Sequence, residues 1–123
     1  MAVCRGLRGA SVADANTDEA IYAATRQLLT NLIEANQLQE RDLAAVYFTM
    51  TPDLNAGFPA AAARQLGWNH TALMCGTEIA VPHSLPRCIR VLILFNTEKE
   101  PDELVNIYLK GTEVLRQHGL ESP

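Results

Sequence analysis

The sequence predicts an α+β domain in which helices pack on a mixed β-sheet. Segments of strand character and segments of helical spacing follow one another in the order strand, helix, strand, helix, strand, strand, helix. The chain has 123 residues, of which 48% are apolar, so we expect one domain spanning residues 1–123 with a real core. The predicted strands are mostly apolar on both faces. We therefore expect an oligomer in which partner subunits cover one sheet face.

A strand and a long helix are predicted in the first third of the chain. Residues 2–10 form the strand, with glycines where another group can approach closely. Asn16 or Thr17 can cap the helix, and acidic residues follow in its first turn. The helix is expected to run to about Asn36. Its apolar residues recur at helical spacing: Ile21, Ala24, Leu28, Leu29, Leu32 and Ile33.

Five further elements follow along the chain. Strands are predicted at residues 43–50 and 71–75, and the strongest strand at 87–96. A short helix is predicted at 58–66, with Pro59 near its start and Gly67 after its end. Pro101 is predicted to open a last helix that continues to about residue 110, where Gly111 ends the pattern.

Composition excludes several classes of protein. The net charge of −4 disfavours general nucleic-acid binding. The sequence contains no run of 18 apolar residues, so no membrane span is predicted. The N-terminus has no apolar region typical of a signal peptide. Three cysteines without a C-x-x-C pair argue against a disulfide framework and a structural zinc site. These features favour a cytoplasmic protein.

The cations are skewed, with eight arginines against two lysines, which favours planar contacts with carboxylates. Strand alternation places Arg8 and Arg90 on the opposite faces of their strands from Arg5 and Arg87. An arginine flanked by apolar residues in a central strand is costly to bury unless an anion pairs with it.

That anion is either a bound carboxylate or an internal partner, for which Glu78 and Asp53 are the candidates. Few other residues in the sequence indicate a catalytic, metal-binding or phosphate-binding site. Cys75 and Cys88 are interpreted as small core residues rather than nucleophiles. The histidines lack ligand spacing, so no metal site is expected, and residues 5–9 match neither phosphate-binding glycine pattern. The residues alone therefore predict a small cytoplasmic α+β domain, with carboxylate binding as one of these two open interpretations of its arginines.

Seven short motifs in order extend this interpretation. They are RGLRGA at 5–10, TPDL at 51–54, FPA at 58–60, CGTE at 75–78, CIRV at 88–91, YL at 108–109 and VLR at 114–116. Each motif alone is weak, but together, at compatible spacing, they are specific. The sequence resembles the chorismate mutases of the AroH class over residues 5–116.

The resemblance implies a homotrimer with a pseudo-α/β-barrel core and three active sites at subunit interfaces, converting chorismate to prephenate. It implies that Arg8 binds a substrate carboxylate, that Arg90 reaches the ether oxygen and a carboxylate, and that Glu78 accepts a hydrogen bond from the ring hydroxyl. This pericyclic reaction needs no nucleophile, base, metal or cofactor, so none is expected. It needs cations that hold two carboxylates and oppose the charge growing on the ether oxygen.

The same resemblance implies six further pocket residues. Cys75 and Tyr108 line the pocket, Phe58 and Leu115 form its apolar walls, and Arg64 and Arg116 add positive charge at its mouth. The chain departs from the pattern at Ala61, where a lysine is expected, at Gly57 and at Gln117. These differences concern the mouth and the tail. Two alternatives stay open: a trimeric imine deaminase of the RidA type, and a non-catalytic trimer that senses an aromatic acid.

Overall fold

The computed structural model describes residues 1–117, which form a five-stranded mixed sheet and three α-helices. This confirms the predicted α+β class. The strands are β1 (Val3–Val12), β2 (Leu43–Met50), β3 (Leu73–Thr77), β4 (Cys88–Thr97) and β5 (Ile107–Tyr108). The helices are α1 (Asp18–Asn36), α2 (Ala60–Gln65) and α3 (Val114–Gln117), and single 3-10 turns occupy Glu40–Asp42 and Pro101–Glu103.

The sheet has the order β3-β2-β4-β1-β5, so the most apolar strand, β4, lies at its centre. β4 pairs antiparallel with β1 and β2. The outer strands β3 and β5 pair parallel with β2 and β1. β4 therefore receives hydrogen bonds along both edges, which fixes the direction of every side chain that it carries.

The long helix α1 covers one face of the sheet. Thr17 caps it as predicted, since its side chain accepts a hydrogen bond from the Ala20 N–H at 3.1 Å. Gly9 of β1 permits close packing, because a Cβ there would lie 3.0 Å from Leu32 Cδ1. The core beneath the helix is built from residues that are nearly or fully buried: Leu7, Leu28, Leu29, Leu32, Val46, Phe48, Val91, Ile93 and Phe95.

The helix predicted from Pro101 to about residue 110 is wrong, since only one 3-10 turn forms there and β5 follows. The start signal at Pro101 belongs to a capping box between Glu100 and Glu103 that closes this single turn. Beyond it, the buried Asn36 side chain bonds both the N–H and the C=O of Val105 at 2.9 Å. This contact spans 69 residues of sequence separation, so no local pattern reports it.

The other predicted elements differ only at their ends. β3 begins and ends two residues later than predicted and so includes Gly76, and α2 begins at Ala60 rather than Phe58. Arg87 precedes β4 with a φ of 50°, so it does not lie on the opposite face of that strand as alternation predicted. None of the described helices is both long and apolar enough to span a membrane.

The sheet face opposite α1 remains open to solvent and carries large apolar side chains. Tyr47, Met74 and Leu92 of three adjacent strands are exposed there by 40%, 63% and 38%. A contiguous apolar patch on a sheet is typical of a surface that another molecule covers. The open face is thus the region of the described chain where a partner or a ligand has most to bury.

Candidate active site

Two rungs of paired residues cross the open face, and three of the predicted site residues lie on them: Arg8, Arg90 and Tyr108. In the first rung Tyr108, Ala10, Arg90, Thr49 and Gly76 are aligned from β5 to β3. Residues paired in register point to the same face of a sheet. Arg90 thus has Ala10 on one side and Thr49 on the other, at the centre of the face.

The second rung carries the other predicted arginine of this face. Arg8 pairs with Leu92, which pairs with Tyr47. Arg8 and Arg90 therefore lie diagonally on one face, an arrangement consistent with the strand alternation. The Arg8 backbone N–H donates to Asn106 Oδ1 at 2.8 Å. Its partly buried guanidinium has no hydrogen-bond or ion-pair partner among the side chains that the structure describes.

Arg90 and Glu78 form an ion pair, with Arg90 Nη1 2.9 Å from Glu78 Oε1. Their side chains are exposed by 25% and 20%, so water screens the pair only in part. The hydroxyl of Thr49 donates to the other carboxylate oxygen, Glu78 Oε2. Of the two internal partners considered for Arg90, the structure therefore selects Glu78.

Asp53, the other candidate, has a different role. Its Oδ1 accepts from the Thr51 hydroxyl, and its Oδ2 accepts from the Arg87 N–H at 2.9 Å. These two hydrogen bonds lower the pKa of Asp53, the Thr51 contact being the larger cause. Thr51 Oγ1 also accepts from the Cys88 N–H. The carboxylate of the TPDL motif therefore anchors the start of β4, two residues before Arg90.

A small apolar cluster borders the site toward the β5 end of the first rung. Leu115 of α3 is 6% exposed and packs with Ala10 and Cys88, and Tyr108 contacts this cluster. The buried Thr112 positions α3, because its hydroxyl bonds the Leu109 carbonyl at 2.8 Å. Two predicted pocket residues, Tyr108 and Leu115, thus lie toward the β5 end of the rung that has Arg90 at its centre.

The two cysteines of interest differ from each other. Cys88 is 2% exposed and packs as a small core residue. Cys75 pairs in register with Phe48 and packs against the core under α1, on the other side of the sheet from Arg90. The predicted contact of Cys75 with the pocket stays a prediction. In the sequence Cys75 lies three residues before Glu78, within the same CGTE motif.

The remaining predicted residues lie apart from the arginines. Phe58 is 70% exposed before α2, and Arg64 projects from α2. On its other side α2 buries Ala60, Ala62 and Ala63 toward α1 and the core. Phe58 and Arg64 stand on the helix-covered side of the sheet. The side chain of Arg116 in α3 and the tail beyond Gln117 lie outside the described residues. A side chain at Gly57 would meet Tyr22, since a Cβ there would lie 3.0 Å from the Tyr22 hydroxyl oxygen.

Thr49 is the contact residue that the sequence interpretation missed. No motif contains it, and only the register between β2 and β4 brings it beside Arg90. Among residues 1–117, no three or more His, Cys, Asp or Glu side chains gather into a group suited to a metal ion. The open face therefore offers cations, one carboxylate, a hydroxyl and apolar surface.

The comparisons with known proteins agree on one family. Residues 4–118 match the family described as chorismate mutase type I. The chain is 49% identical over 113 residues to a chorismate mutase AroH of Thermus thermophilus, covering 91% of this chain and 93% of the relative. It is 39% identical to that of Bacillus subtilis over 113 residues, covering 91% and 89%.

A solved structure shows the same similarity. A chorismate mutase from Clostridium thermocellum superposes with a TM-score of 0.88 at 47% sequence identity. The match covers 90% of this chain and 99% of that one.

Proposed function

Since the chain belongs to the chorismate mutase type I family, we infer that it converts chorismate to prephenate on the arginine-bearing face of its sheet. The protein is an isomerase of aromatic amino-acid (Phe and Tyr) biosynthesis, on the shikimate route. One observation carries the proposed site: Arg8 and Arg90 share one sheet face, and Glu78 is held against Arg90. The imine deaminase and the sensor are not favoured by these relatives.

The reaction explains why such a site suffices. Chorismate is a dianion, and its pericyclic rearrangement breaks the ether bond while a carbon–carbon bond forms. No proton need move. The protein has to hold the two carboxylates so that the reacting carbons meet, and to oppose the negative charge that grows on the ether oxygen. Fixed guanidinium groups in a partly dehydrated site provide both effects.

We assign roles by position on the open face. Arg90 opposes the charge on the ether oxygen and binds one carboxylate, because it lies at the centre of the first rung. Arg8 binds a carboxylate, since its guanidinium has no internal anion among the described side chains. Glu78 accepts the hydrogen bond of the ring hydroxyl. Tyr108 and Leu115 form one apolar border.

We further propose a homotrimer in which each site combines residues of two subunits. The apolar residues of the open face, Tyr47, Met74 and Leu92, support a buried interface. Phe58 and Arg64 support the sharing of sites, because they stand on the other side of the sheet from Arg90 within one chain. A neighbouring subunit can bring these residues to the open face, with Arg116 as a further cation of the mouth.

The cellular location and the domain organisation of the protein complete the proposal. Cys4, Cys75 and Cys88 are all free thiols, which supports a reducing, cytoplasmic location. The matches to relatives run from one end of the described chain to the other, which supports a single chorismate mutase domain over 1–123.

We expect the purified protein to convert chorismate after treatment with EDTA, because the proposed chemistry uses fixed cations and no metal. The measurement is the loss of chorismate absorbance, with prephenate identified as the product. Cys75→Ala is expected to lower kcat/KM by less than about tenfold, since its thiol packs against the core and transfers no proton. Loss of turnover in EDTA, or an inactive but folded Cys75→Ala enzyme, would contradict this mechanism.

A further inference from the structure

We propose that Thr49 is a positioning residue of the active site, whose hydroxyl keeps Glu78 from taking both donors of the Arg90 guanidinium fork. The inference rests on the proposed function of the Arg90–Glu78 pair. Thr49 lies outside all seven motifs by which the sequence resembles the chorismate mutases. The inference also assigns a role to a contact that the proposed reaction leaves unexplained.

The Glu78 carboxylate is held at each of its two oxygens by a different strand. Oε1 accepts from Arg90 Nη1 of β4 at 2.9 Å, and Oε2 accepts from the Thr49 hydroxyl of β2. The Glu78 backbone N–H donates to the Met50 carbonyl at 2.9 Å, so the main chain is tied to β2 as well. The orientation of the carboxylate is thereby fixed relative to both strands.

The position of Thr49 is itself set by the sheet. Thr49 pairs in register with Arg90 on one side and with Gly76 on the other, so its side chain stands between Arg90 and the end of β3. A β-branched side chain in a strand has few rotamers, and a threonine hydroxyl has one proton to donate. With that proton on Glu78, the hydroxyl acts as a fixed support for Oε2.

Carboxylates and guanidinium groups prefer paired, parallel hydrogen bonds. Without the Thr49 donor, Oε2 is released and the Glu78 carboxylate can rotate toward a two-pronged contact with Arg90. That contact would compete with the substrate's ether oxygen and carboxylate for the same N–H groups. Thr49 thus acts through Glu78 on the availability of Arg90, and its loss is expected in kcat more than in KM.

The experiment compares purified, assembled variants on chorismate. Thr49→Val keeps the shape and removes the hydroxyl, and Thr49→Ser keeps the hydroxyl. Thr71→Val is the matched control, because Thr71 also donates to a glutamate, Glu40 Oε2 at 3.1 Å, far from the open-face rungs. Each of these substitutions is measured for kcat, KM, thermal midpoint and molecular mass in solution, and Thr49→Val is also combined with Glu78→Ala. Thr49→Ala replaces Thr49→Val if the valine variant does not assemble.

We expect Thr49→Val to lower kcat about tenfold, which is the effect of one misplaced charge-assisted hydrogen bond. Thr49→Ser should stay within about threefold of the starting enzyme, and Thr71→Val should be unchanged within the same margin. In the Glu78→Ala background the Thr49→Val change should have no further effect, as a double-mutant cycle requires for residues that act through each other.

Three results would overturn the inference: an unchanged kcat for Thr49→Val, a serine variant as slow as the valine variant, or an undiminished Thr49→Val loss in the Glu78→Ala background. A different result identifies failure of the proposed function itself. If Glu78→Ala alone leaves kcat and KM unchanged, Glu78 has no part in the reaction, and the role of Thr49 fails with it.

Discussion

Arg90→Ala is expected to lower kcat by at least about 10²–10³-fold, the usual cost of removing one preorganised donor from a developing charge. The loss appears in kcat because the contact with the ether oxygen is stronger in the transition state than in the bound substrate. Arg90→Lys keeps the charge, but a point-like ammonium cannot reach the ether oxygen and a carboxylate together. We therefore expect the lysine variant to stay severely impaired.

Arg87 provides the control within the same segment. It is exposed, donates from Nε to the Ala13 carbonyl at 2.9 Å and from its N–H to Asp53, and so takes part in anchoring β4. Arg87→Ala is expected to reduce the free energy of unfolding by about 1 kcal/mol while kcat stays within about tenfold. Steady-state kinetics on both purified proteins decides the matter: equal losses at the two positions would refute the assigned roles.

Met74→Asp is expected to dissociate the assembly and to reduce kcat/KM by at least about a hundredfold, as the loss of the partner's preorganised groups would. Met74 pairs in register with Tyr47 on the open face and is 63% exposed. A carboxylate buried there between subunits costs several kcal/mol, because Tyr47, its neighbour in register, carries no charge that can pair with it. Light scattering measures the mass, and the chorismate assay measures the activity.

Val3→Asp is the matched control for this substitution. Val3 is also an exposed apolar strand residue, at 44%, but it lies on the face of β1 that α1 covers. It should leave both mass and activity unchanged. A Met74→Asp protein that is monomeric and fully active would show that the site is complete within one chain.

Local sequence pattern predicted the part of the site that depends on strand alternation. Arg8 and Arg90 were assigned to particular strand faces from the period of two alone, and the register of β1 with β4 then brings them to one face. The sequence also predicts the buried residues of α1 and its Thr17 cap, because both depend on residues within one or two helical turns of each other.

The sequence does not predict contacts between segments that lie far apart along the chain. The Asn36 side chain and Asn106 shape the segment before β5, and neither interaction has a local signal, so β5 was mistaken for a helix. Thr49 meets Glu78 through the pairing of β2 with β3 and β4, which no spacing along the chain encodes. The sequence leaves Glu78 and Asp53 open as internal partners of Arg90, because only the positions of the ends of β2 and β3 in the fold select Glu78.

We propose that each active site joins the Arg90 half of one subunit to the Phe58 and Arg64 half of another, and the activity of mixed assemblies tests this sharing. Two variants are mixed: Arg90→Ala, and the double variant Phe58→Ala/Arg64→Ala. They are unfolded together, refolded together and assayed on chorismate. Each variant refolded alone is assayed in the same way as a control. About one interface in four should combine two intact halves by random mixing in a closed ring. We expect the mixture to convert chorismate at a rate well above the mean rate of the two separately refolded samples. A mixture equal to that mean, with mixed assemblies confirmed by mass, would contradict it.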